Sequence, residues 1–328
     1  MQKLRWGILG AGWIARKFVH SLRATESSEI IAVASETEGK AQAFADELAI
    51  PHAYSSYEAL LSNPDVDVVY IANIHNFHLK TALLALEAEK HVLCEKPLAI
   101  NAAQGLEMVL KARAKKRFLM EAMWTRFLPA VVQLRDWIHE GRIGEVETID
   151  ASFGFVADLP LTGRLLNPAL AGGALLDLGI YPLSFASMAV NGQKPIALAT
   201  EVVIGETGVD VDSVQLFRYP KNRTAILRCS FIKRTPNTAS ITGSLGSIQL
   251  SPTFIGTDTV TLETDEETLV RRFPCPENEG FKYEIEHVVN CIHEGKLESP
   301  VMPLKETLAI AETMDELRVN WGLSYPDE

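Results

Sequence analysis

A glycine-rich turn close to the amino terminus constrains the fold of this chain more than any other feature. Residues 4–9 form an apolar run that predicts a buried strand, and Gly10-Ala11-Gly12-Trp13-Ile14-Ala15 follows it directly. Gly10 permits a tight turn, Gly12 allows a backbone to approach a pyrophosphate, and Ala15 keeps the next helix close to the strand. Because the amino end of a helix attracts phosphate, the pattern predicts dinucleotide binding; an ordinary glycine-rich turn is the alternative.

The next hundred residues alternate between apolar runs and amphipathic helical patterns. Such alternation is typical of a doubly wound parallel sheet. Strands are predicted at residues 30–34, 66–72, 91–94 and 118–121, and helices at 41–48, 79–89 and 102–115. Asn101 and Gln104 resemble a capping box that opens the last of these helices.

The pattern changes after about residue 124. Longer segments of alternating polarity favour antiparallel strands, at residues 146–156, 196–204, 213–219, 224–232, 239–242 and 248–250, before helices at 284–293 and 304–319. The sequence therefore predicts an α/β chain in two parts. A Rossmann dinucleotide-binding domain covers residues 1–122, and an α+β domain with a large, mainly antiparallel open sheet covers residues 123–328.

Composition argues against several classes of protein. The net charge of −11 comes from 42 acidic against 31 basic residues without a basic run, which disfavours nucleic-acid binding. The early apolar run is too short for a signal peptide, and no window approaches the ~18 apolar residues of a membrane span. Cysteines are few and widely separated, which suggests neither a zinc site nor a disulfide framework. We expect a cytoplasmic protein with reduced cysteines and no membrane partner.

Lys96 is the first candidate for chemistry. It stands at the end of the apolar run 91–94, between Glu95 and Pro97. Proline restricts the residue before it to extended conformations. Lys96 should therefore lie at the carboxyl end of a strand, the edge at which open α/β sheets bind ligands.

Two histidines follow the neighbouring predicted strand, 66–72. His75 and His78 are three residues apart, so they share one face of a helix, and Asn73 precedes them. They are candidates to hydrogen-bond a cofactor ribose; helix-capping or solvent-exposed histidines are the alternative. No third ligand for a metal is evident nearby.

The residues after the second strand bear on the type of cofactor. An acidic residue there accepts from the ribose hydroxyl of NAD, whereas a basic one pairs with the extra phosphate of NADP. Glu36 favours NAD, while Ser35 and Lys40 leave NADP open.

The segment 172–182 of the second part carries the other candidates. Gly172 and Gly173 free the backbone to approach another group closely. Asp177 and Tyr181 are four residues apart, so they share one face of a helix, and Pro182 should distort the turn around Tyr181. An aspartate cap with a buried tyrosine is the alternative.

Together these segments resemble the Gfo/Idh/MocA oxidoreductases, nearly from end to end. The resemblance is closest to the branch of dimeric dihydrodiol dehydrogenases that also act as NADP-dependent D-xylose dehydrogenases. Its most specific elements are Met120-Glu121-Ala122-Met123-Trp124-Thr125-Arg126-Phe127 and a tyrosine at position 181, whereas Glu95-Lys96-Pro97 occurs across the family. Residues 4–8, 237–240 and 298–301 add to it.

The resemblance implies residue roles. Lys96 and Tyr181 would be the catalytic pair, with the immediate acid/base left open, and Asp177 would lie beside the substrate. A nearby ammonium would lower the pKa of a tyrosine, ordinarily about 10, towards neutrality. Trp124, Arg126, Phe153 and Phe155 are candidates for the substrate wall, although core packing is an even alternative for the two phenylalanines.

The implied activity is hydride transfer between a nicotinamide and the hydroxyl or carbonyl carbon of a sugar or trans-dihydrodiol, in a homodimer without a metal. One departure matters, because the branch's NADP preference goes with an arginine where this chain has Glu36. A non-catalytic NAD(P)-binding sensor on the same fold is the alternative from another class. An enzyme that cleaves glycosides with tightly held NAD is a third.

Overall fold

Two β-sheets organise the residues that the computed structural model describes, which are 3–156, 160–276, 278–326 and 328. Contacts divide the chain into two compact units. The first is Met1–Trp124 with Cys275–Leu308, and the second is Thr125–Pro274 with Ala309–Glu328.

The first unit is built on a six-stranded parallel sheet, as the alternation predicts. The sheet order is β3-β2-β1-β4-β5-β6. Its strands are β1 (Leu4–Leu9), β2 (Ser28–Ala34), β3 (His52–Tyr54), β4 (Val68–Ile71), β5 (His91–Glu95) and β6 (Leu119–Ala122). The order reverses between β1 and β4, so the turn after Leu9 and the segment after Ile71 open at the switch point where such sheets bind ligands.

Helices follow the strands of the first unit. They are α1 (Trp13–Arg23), α2 (Lys40–Glu47), α3 (Tyr57–Leu61), α4 (His78–Glu87) and α5 (Ala102–Lys115). The expected cap of α5 is present, because Asn101 Oδ1 accepts the backbone N–H of Gln104 at 2.8 Å. A core of aliphatic side chains fills the space between sheet and helices, and it includes Leu9, Val69, Ile71, Val92 and Leu119.

The segment Cys275–Leu308 returns to the first unit. It contains α8 (Lys282–His293). It also makes a backbone hydrogen bond to the edge strand β6 of the parallel sheet, where Leu119 N–H donates to Leu297 O at 3.1 Å. The ring of Phe18 in α1 lies 6.3 Å from that of Phe281. Contacts therefore group this segment with residues 1–124, whereas the division of the chain into functional domains at 122/123 stays a prediction.

The second unit contains a sheet of eight strands in the order β14-β13-β12-β11-β7-β10-β9-β8. The strands are β7 (Val146–Gly154), β8 (Ala197–Ile204), β9 (Asp210–Arg218), β10 (Thr224–Ser230), β11 (Ala239–Gly243), β12 (Gly246–Leu250), β13 (Thr259–Thr264) and β14 (Thr268–Arg272). All neighbours are antiparallel except β7 and β10. The predicted mainly antiparallel sheet is confirmed.

Three α-helices accompany this sheet, α6 (Pro129–His139), α7 (Ile180–Ala189) and α9 (Leu304–Trp321), of which α9 begins within the first unit. One expectation about apolar windows is wrong: Pro168–Ala189 is long and apolar enough to cross a membrane by length and composition. In the structure, 83% of its apolar window is buried inside the protein, because α7 packs on β7 and β10. Burial inside the protein thus explains the apolar residues of Pro168–Ala189.

Candidate functional site

The glycine turn after β1 places two glycines in different surroundings. Gly10 has φ +110°, and a Cβ atom there would lie 2.8 Å from the carbonyl carbon of Ala72 and from the nitrogen of Asn73. Gly12 has φ −98°, which any residue adopts, and a Cβ there would meet nothing within 4 Å. Gly10 is therefore required by the fold, whereas Gly12 leaves space beside the first N–H groups of α1.

This space fits a dinucleotide pyrophosphate. The first N–H groups of a helix have no partner within the helix and favour negative charge. Ala15 is fully buried, so α1 lies close on the sheet. The ring of Trp13 is 66% exposed, with Lys17 Nζ 4.3 Å from its centroid, and Ile14 is half-buried beside it.

The end of β2 presents the residues that bear on cofactor type. Ser35 is buried, and its Oγ accepts the backbone N–H of Thr37 at 3.2 Å, so it shapes the turn. Glu36 is exposed after the strand, and Lys40 is exposed at the first position of α2. An exposed carboxylate thus lies two residues after the end of the second strand of the Rossmann sheet.

His78 joins two turns at the carboxyl edge of the parallel sheet. Its Nδ1 lies 2.8 Å from the carbonyl oxygen of Pro97 and its Nε2 lies 3.2 Å from that of Asn73. Burial lowers the pKa of His78 to about 4, so the imidazole is neutral near pH 7. A neutral imidazole has one N–H and can donate to only one of these oxygens, so His78 lies between the turns after β4 and β5 and is bonded to one of them.

The other two residues of this turn lie beside it. His75 is buried in a short 3₁₀ turn, with its ring centroid 6.5 Å from that of His78. Asn73 Nδ2 donates to Thr81 Oγ1 at 2.8 Å, which fixes the start of α4. Among the described residues, no group of three side chains suited to a metal ion is found.

Lys96 directly follows the last residue of β5 and is half-buried. Its backbone N–H donates to Glu95 Oε2 at 3.1 Å, and the Lys96–Pro97 peptide bond is cis. Glu95 is buried and accepts the hydroxyl of Tyr70 on β4. The lysine thus stands at the predicted strand end, with its backbone N–H bound to Glu95.

A second buried carboxyl group lies near Glu95. Glu284 of α8 is fully buried, and neither of its side-chain oxygens has a hydrogen-bond partner among the described residues. Burial, and secondarily the charge of Glu95, raises the pKa of Glu284 well above its ordinary value. The first unit therefore holds a carboxyl group in its interior whose burial favours the protonated form.

The second unit presents Asp177 within a turn of π-helix, Leu175–Gly179, that leads directly into α7. Pro182 is the third residue of α7. Because proline lacks an N–H, the distortion expected around Tyr181 falls in the preceding turn, which is the π-helical one. Asp177 Oδ1 accepts two hydrogen bonds of 3.2 Å from the guanidinium of Arg164. No motif in the sequence points to Arg164.

Tyr181 is packed edge-on against aromatic rings. Its ring centroid lies 5.6 Å from that of Phe153, at an interplanar angle of 89°. Phe153 and Phe155 are half-buried, and Phe155 packs 5.9 Å from Phe231. The aromatic group that the sequence proposed as a wall is therefore beside the tyrosine, in contact with a small core under the π-turn.

The remaining two wall candidates have other surroundings. Arg126 is only 3% exposed, and its Nε and Nη2 donate to the hydroxyl and carbonyl oxygens of Ser184, both at 2.8 Å. Arg126 therefore holds α7. Trp124 belongs to the first unit, where its ring lies 4.9 Å from that of Phe281.

Comparison with known proteins agrees with this architecture. Residues 4–123 match the family model described as an oxidoreductase family with an NAD-binding Rossmann fold, and residues 131–249 match the GFO/IDH/MocA C-terminal domain. The chain is 41% identical over 331 residues to the trans-1,2-dihydrobenzene-1,2-diol dehydrogenase of Mus musculus and 39% identical over 337 residues to that of Homo sapiens. Each alignment covers 99% of both chains.

Two solved structures are similar over nearly the whole chain. An aldose-aldose oxidoreductase from Caulobacter crescentus, complexed with glycerol, gives a TM-score of 0.88 at 25% identity and covers 98% of this chain and 99% of its own. A 3-ketoreductase from Actinomadura kijaniata, in complex with NADP and TDP-benzene, gives 0.83 at 27% identity with 97% and 98% covered. With its parallel sheet, its glycine turn and these relatives, the chain belongs to the Gfo/Idh/MocA family of NAD(P)-dependent oxidoreductases.

Proposed function

We propose that this protein transfers a hydride between a nicotinamide and the hydroxyl or carbonyl carbon of a sugar or a trans-dihydrodiol. The observation that carries the proposal is the full-length similarity to dihydrodiol dehydrogenases in a chain that contains Lys96, Asp177 and Tyr181. The aldose oxidoreductase among the structural relatives supports a sugar as the other substrate class.

The proposed chemistry assigns a role to each residue. Bound NAD(P) supplies the hydride acceptor or donor. In the oxidative direction the substrate carbon loses a hydride with its bonding electron pair, and the hydroxyl oxygen loses a proton. Tyr181 exchanges that proton, Lys96 stabilises negative charge on the oxygen, and Asp177 orients the substrate through its carboxylate.

For the cofactor we propose NAD in preference to NADP. A carboxylate at the end of the second Rossmann strand accepts from a ribose hydroxyl and repels a 2′-phosphate. Glu36 is exposed at that position, whereas the exposed Lys40 would favour the extra phosphate of NADP. Titration of the apoprotein with NAD and NADP tests the preference. Glu36→Gln should improve NADP binding relative to NAD, and Lys40→Gln should weaken NADP binding; an unchanged ratio in both variants contradicts the assignment.

The activity is tested with purified protein, NAD or NADP, and a panel of pentoses, hexoses and trans-dihydrodiols, followed by absorbance of the reduced nicotinamide. Lys96→Met and Tyr181→Phe should each lower turnover by orders of magnitude without weakening cofactor binding. Lys80→Met, an exposed lysine on α4, is the matched control and should behave as wild type. Near-normal turnover in both active-site variants refutes the assignment. Cofactor binding without turnover of any substrate favours a sensor.

We propose a homodimer formed through the eight-stranded sheet. Val214 and Leu216 of β9 are 39% and 48% exposed on one face of that sheet, where apolar side chains favour a protein interface. The molecular mass in solution, measured by light scattering for wild type and Leu216→Lys, tests this. A monomeric wild type contradicts it.

A further inference from the structure

We propose that Asp210 and Tyr325 are positioning residues for the segment 172–181, and that they hold Asp177 and Tyr181 in place for the proposed reaction. The inference rests on the proposed function for the roles of Asp177 and Tyr181. Neither Asp210 nor Tyr325 belongs to the segment itself. Both residues contact the glycine-rich start of this segment from other parts of the second unit.

Asp210 fixes the beginning of the π-turn. It is the first residue of β9, it is fully buried, and its Oδ2 accepts the backbone N–H of Leu175 at 2.6 Å. Leu175 is the first residue of the π-turn that contains Asp177. A charge-assisted hydrogen bond to a buried peptide group is stronger than a neutral one. The carboxylate is therefore an anchor for the backbone two residues before Asp177.

Gly173 is shaped to receive this carboxylate. Its φ of +130° is open to glycine, and a Cβ at that position would lie 2.2 Å from Asp210 Oδ1. No hydrogen-bond partner for Oδ1 is found among the described residues. The second glycine of the Gly172-Gly173 pair thus leaves room for the anchoring side chain.

Tyr325 fixes the preceding residue. Its hydroxyl donates to the carbonyl oxygen of Gly172 at 2.7 Å in a buried contact. The guanidinium carbon of Arg318 in α9 lies 4.9 Å from the centroid of the Tyr325 ring. The side chain of Glu328 accepts the backbone N–H of Tyr325 at 3.0 Å. The carboxyl-terminal residues therefore hold the start of the segment from a second direction.

The ionisation of Asp210 sets the strength of the anchor. Burial raises the pKa of Asp210 to about 6, against the opposing effects of the Leu175 N–H and the charge of Arg318. Other titratable groups facing it are Tyr325 and the buried thiol of Cys229 on β10, both with a raised pKa and neutral near pH 7. Asp210 is therefore ionised at pH 7.5, where its hydrogen bond to the Leu175 N–H is charge-assisted.

Amide hydrogen exchange of the full chain tests the proposal, because it reports positioning without turnover. Asp210→Asn keeps the side-chain volume and an acceptor oxygen but removes the charge. We expect exchange at residues 173–181 to rise at least threefold at pH 7.5 in Asp210→Asn and in Tyr325→Phe.

Two matched controls separate positioning from general loss of structure. Asp212→Asn lies on the same strand and removes a carboxylate paired with Lys233, and Tyr219→Phe removes another buried hydroxyl of the same unit. Both should leave exchange at residues 173–181 unchanged. In the steady state, Asp210→Asn should lower kcat at neutral pH and leave cofactor affinity unchanged.

Wild-type exchange rates at residues 173–181 in both test variants would overturn the proposal. If Asp210→Asn does not fold, the exchange rates of Tyr325→Phe still test the proposal. Should wild type turn over no sugar or diol while exchange responds as described, the proposed function fails and the anchoring by Asp210 stands.

Discussion

The two glycines of the turn after β1 should fail in different ways when alanine replaces them. Gly10→Ala forces a side chain into φ +110° and places its Cβ 2.8 Å from the backbone of Ala72 and Asn73. Backbone strain of about 1–3 kcal/mol adds to overpacking of about 1–3 kcal/mol. We expect a loss of about 3 kcal/mol, which lowers Tm by roughly 6–12 °C at 2–4 °C for each kcal/mol.

Gly12→Ala should leave the fold intact. Its φ of −98° suits alanine, and the added methyl group meets nothing within 4 Å. The same methyl group occupies the space that we assign to the pyrophosphate, so cofactor affinity should fall at least about tenfold, or 1.4 kcal/mol. The pair thus separates a glycine needed for folding from one needed for binding.

Thermal unfolding without cofactor and a fluorescence titration with NAD and NADP measure the two effects. Gly39→Ala is a control for positive φ alone, because it has φ +70° with no atom within 4 Å of an added Cβ. It should lose less stability than Gly10→Ala and should bind cofactor normally. Equal destabilisation by Gly10→Ala and Gly12→Ala, or cofactor binding by Gly12→Ala at wild-type affinity, would refute the reasoning.

Two predictions concern pH. A raised carboxyl pKa gives stability at low pH that is lost as pH rises, so the free energy of unfolding of wild type should fall relative to that of Glu284→Gln as the pH rises above the ordinary glutamate pKa. The exposed Glu286→Gln should follow wild type. Conversely, a histidine pKa that is lowered in the folded state costs stability as the pH falls from 6.5 to 4. Over this range the free energy of unfolding of wild type should fall by about 3 kcal/mol relative to that of His78→Gln. It should not fall relative to that of the control variant His20→Gln. Parallel urea-unfolding curves would contradict either prediction.

Much of the fold could be predicted because its signals are local. The apolar run 4–9 and the capped pattern 102–115 have the bounds that the structure gives to β1 and α5. Elements of three and five residues, β3 and α3, are too short to show a periodicity. Strands β13 and β14 were missed because threonine, glutamate and arginine alternate with few apolar residues.

The candidate site could be predicted only where strand ends and glycines point to it. Lys96 follows its strand as expected. The sequence cannot reveal that Arg126 binds Ser184, 58 residues away, or that Asp210 holds Leu175, because both contacts depend on tertiary packing. Asp210 lies in Asp210-Val211-Asp212, a pattern that resembles a polar strand start, and only its complete burial distinguishes it.

The return of Cys275–Leu308 to the first unit has a consequence for biosynthesis. Residues 1–124 emerge from the ribosome first, yet Leu119 and Phe18 meet Leu297 and Phe281 only after most of the chain has been made. The parallel sheet can assemble early, but residues 275–308, which pack on the first unit, are synthesised late. A nascent chain stalled before residue 275 would therefore expose apolar surface on its oldest part and would be a substrate for chaperones.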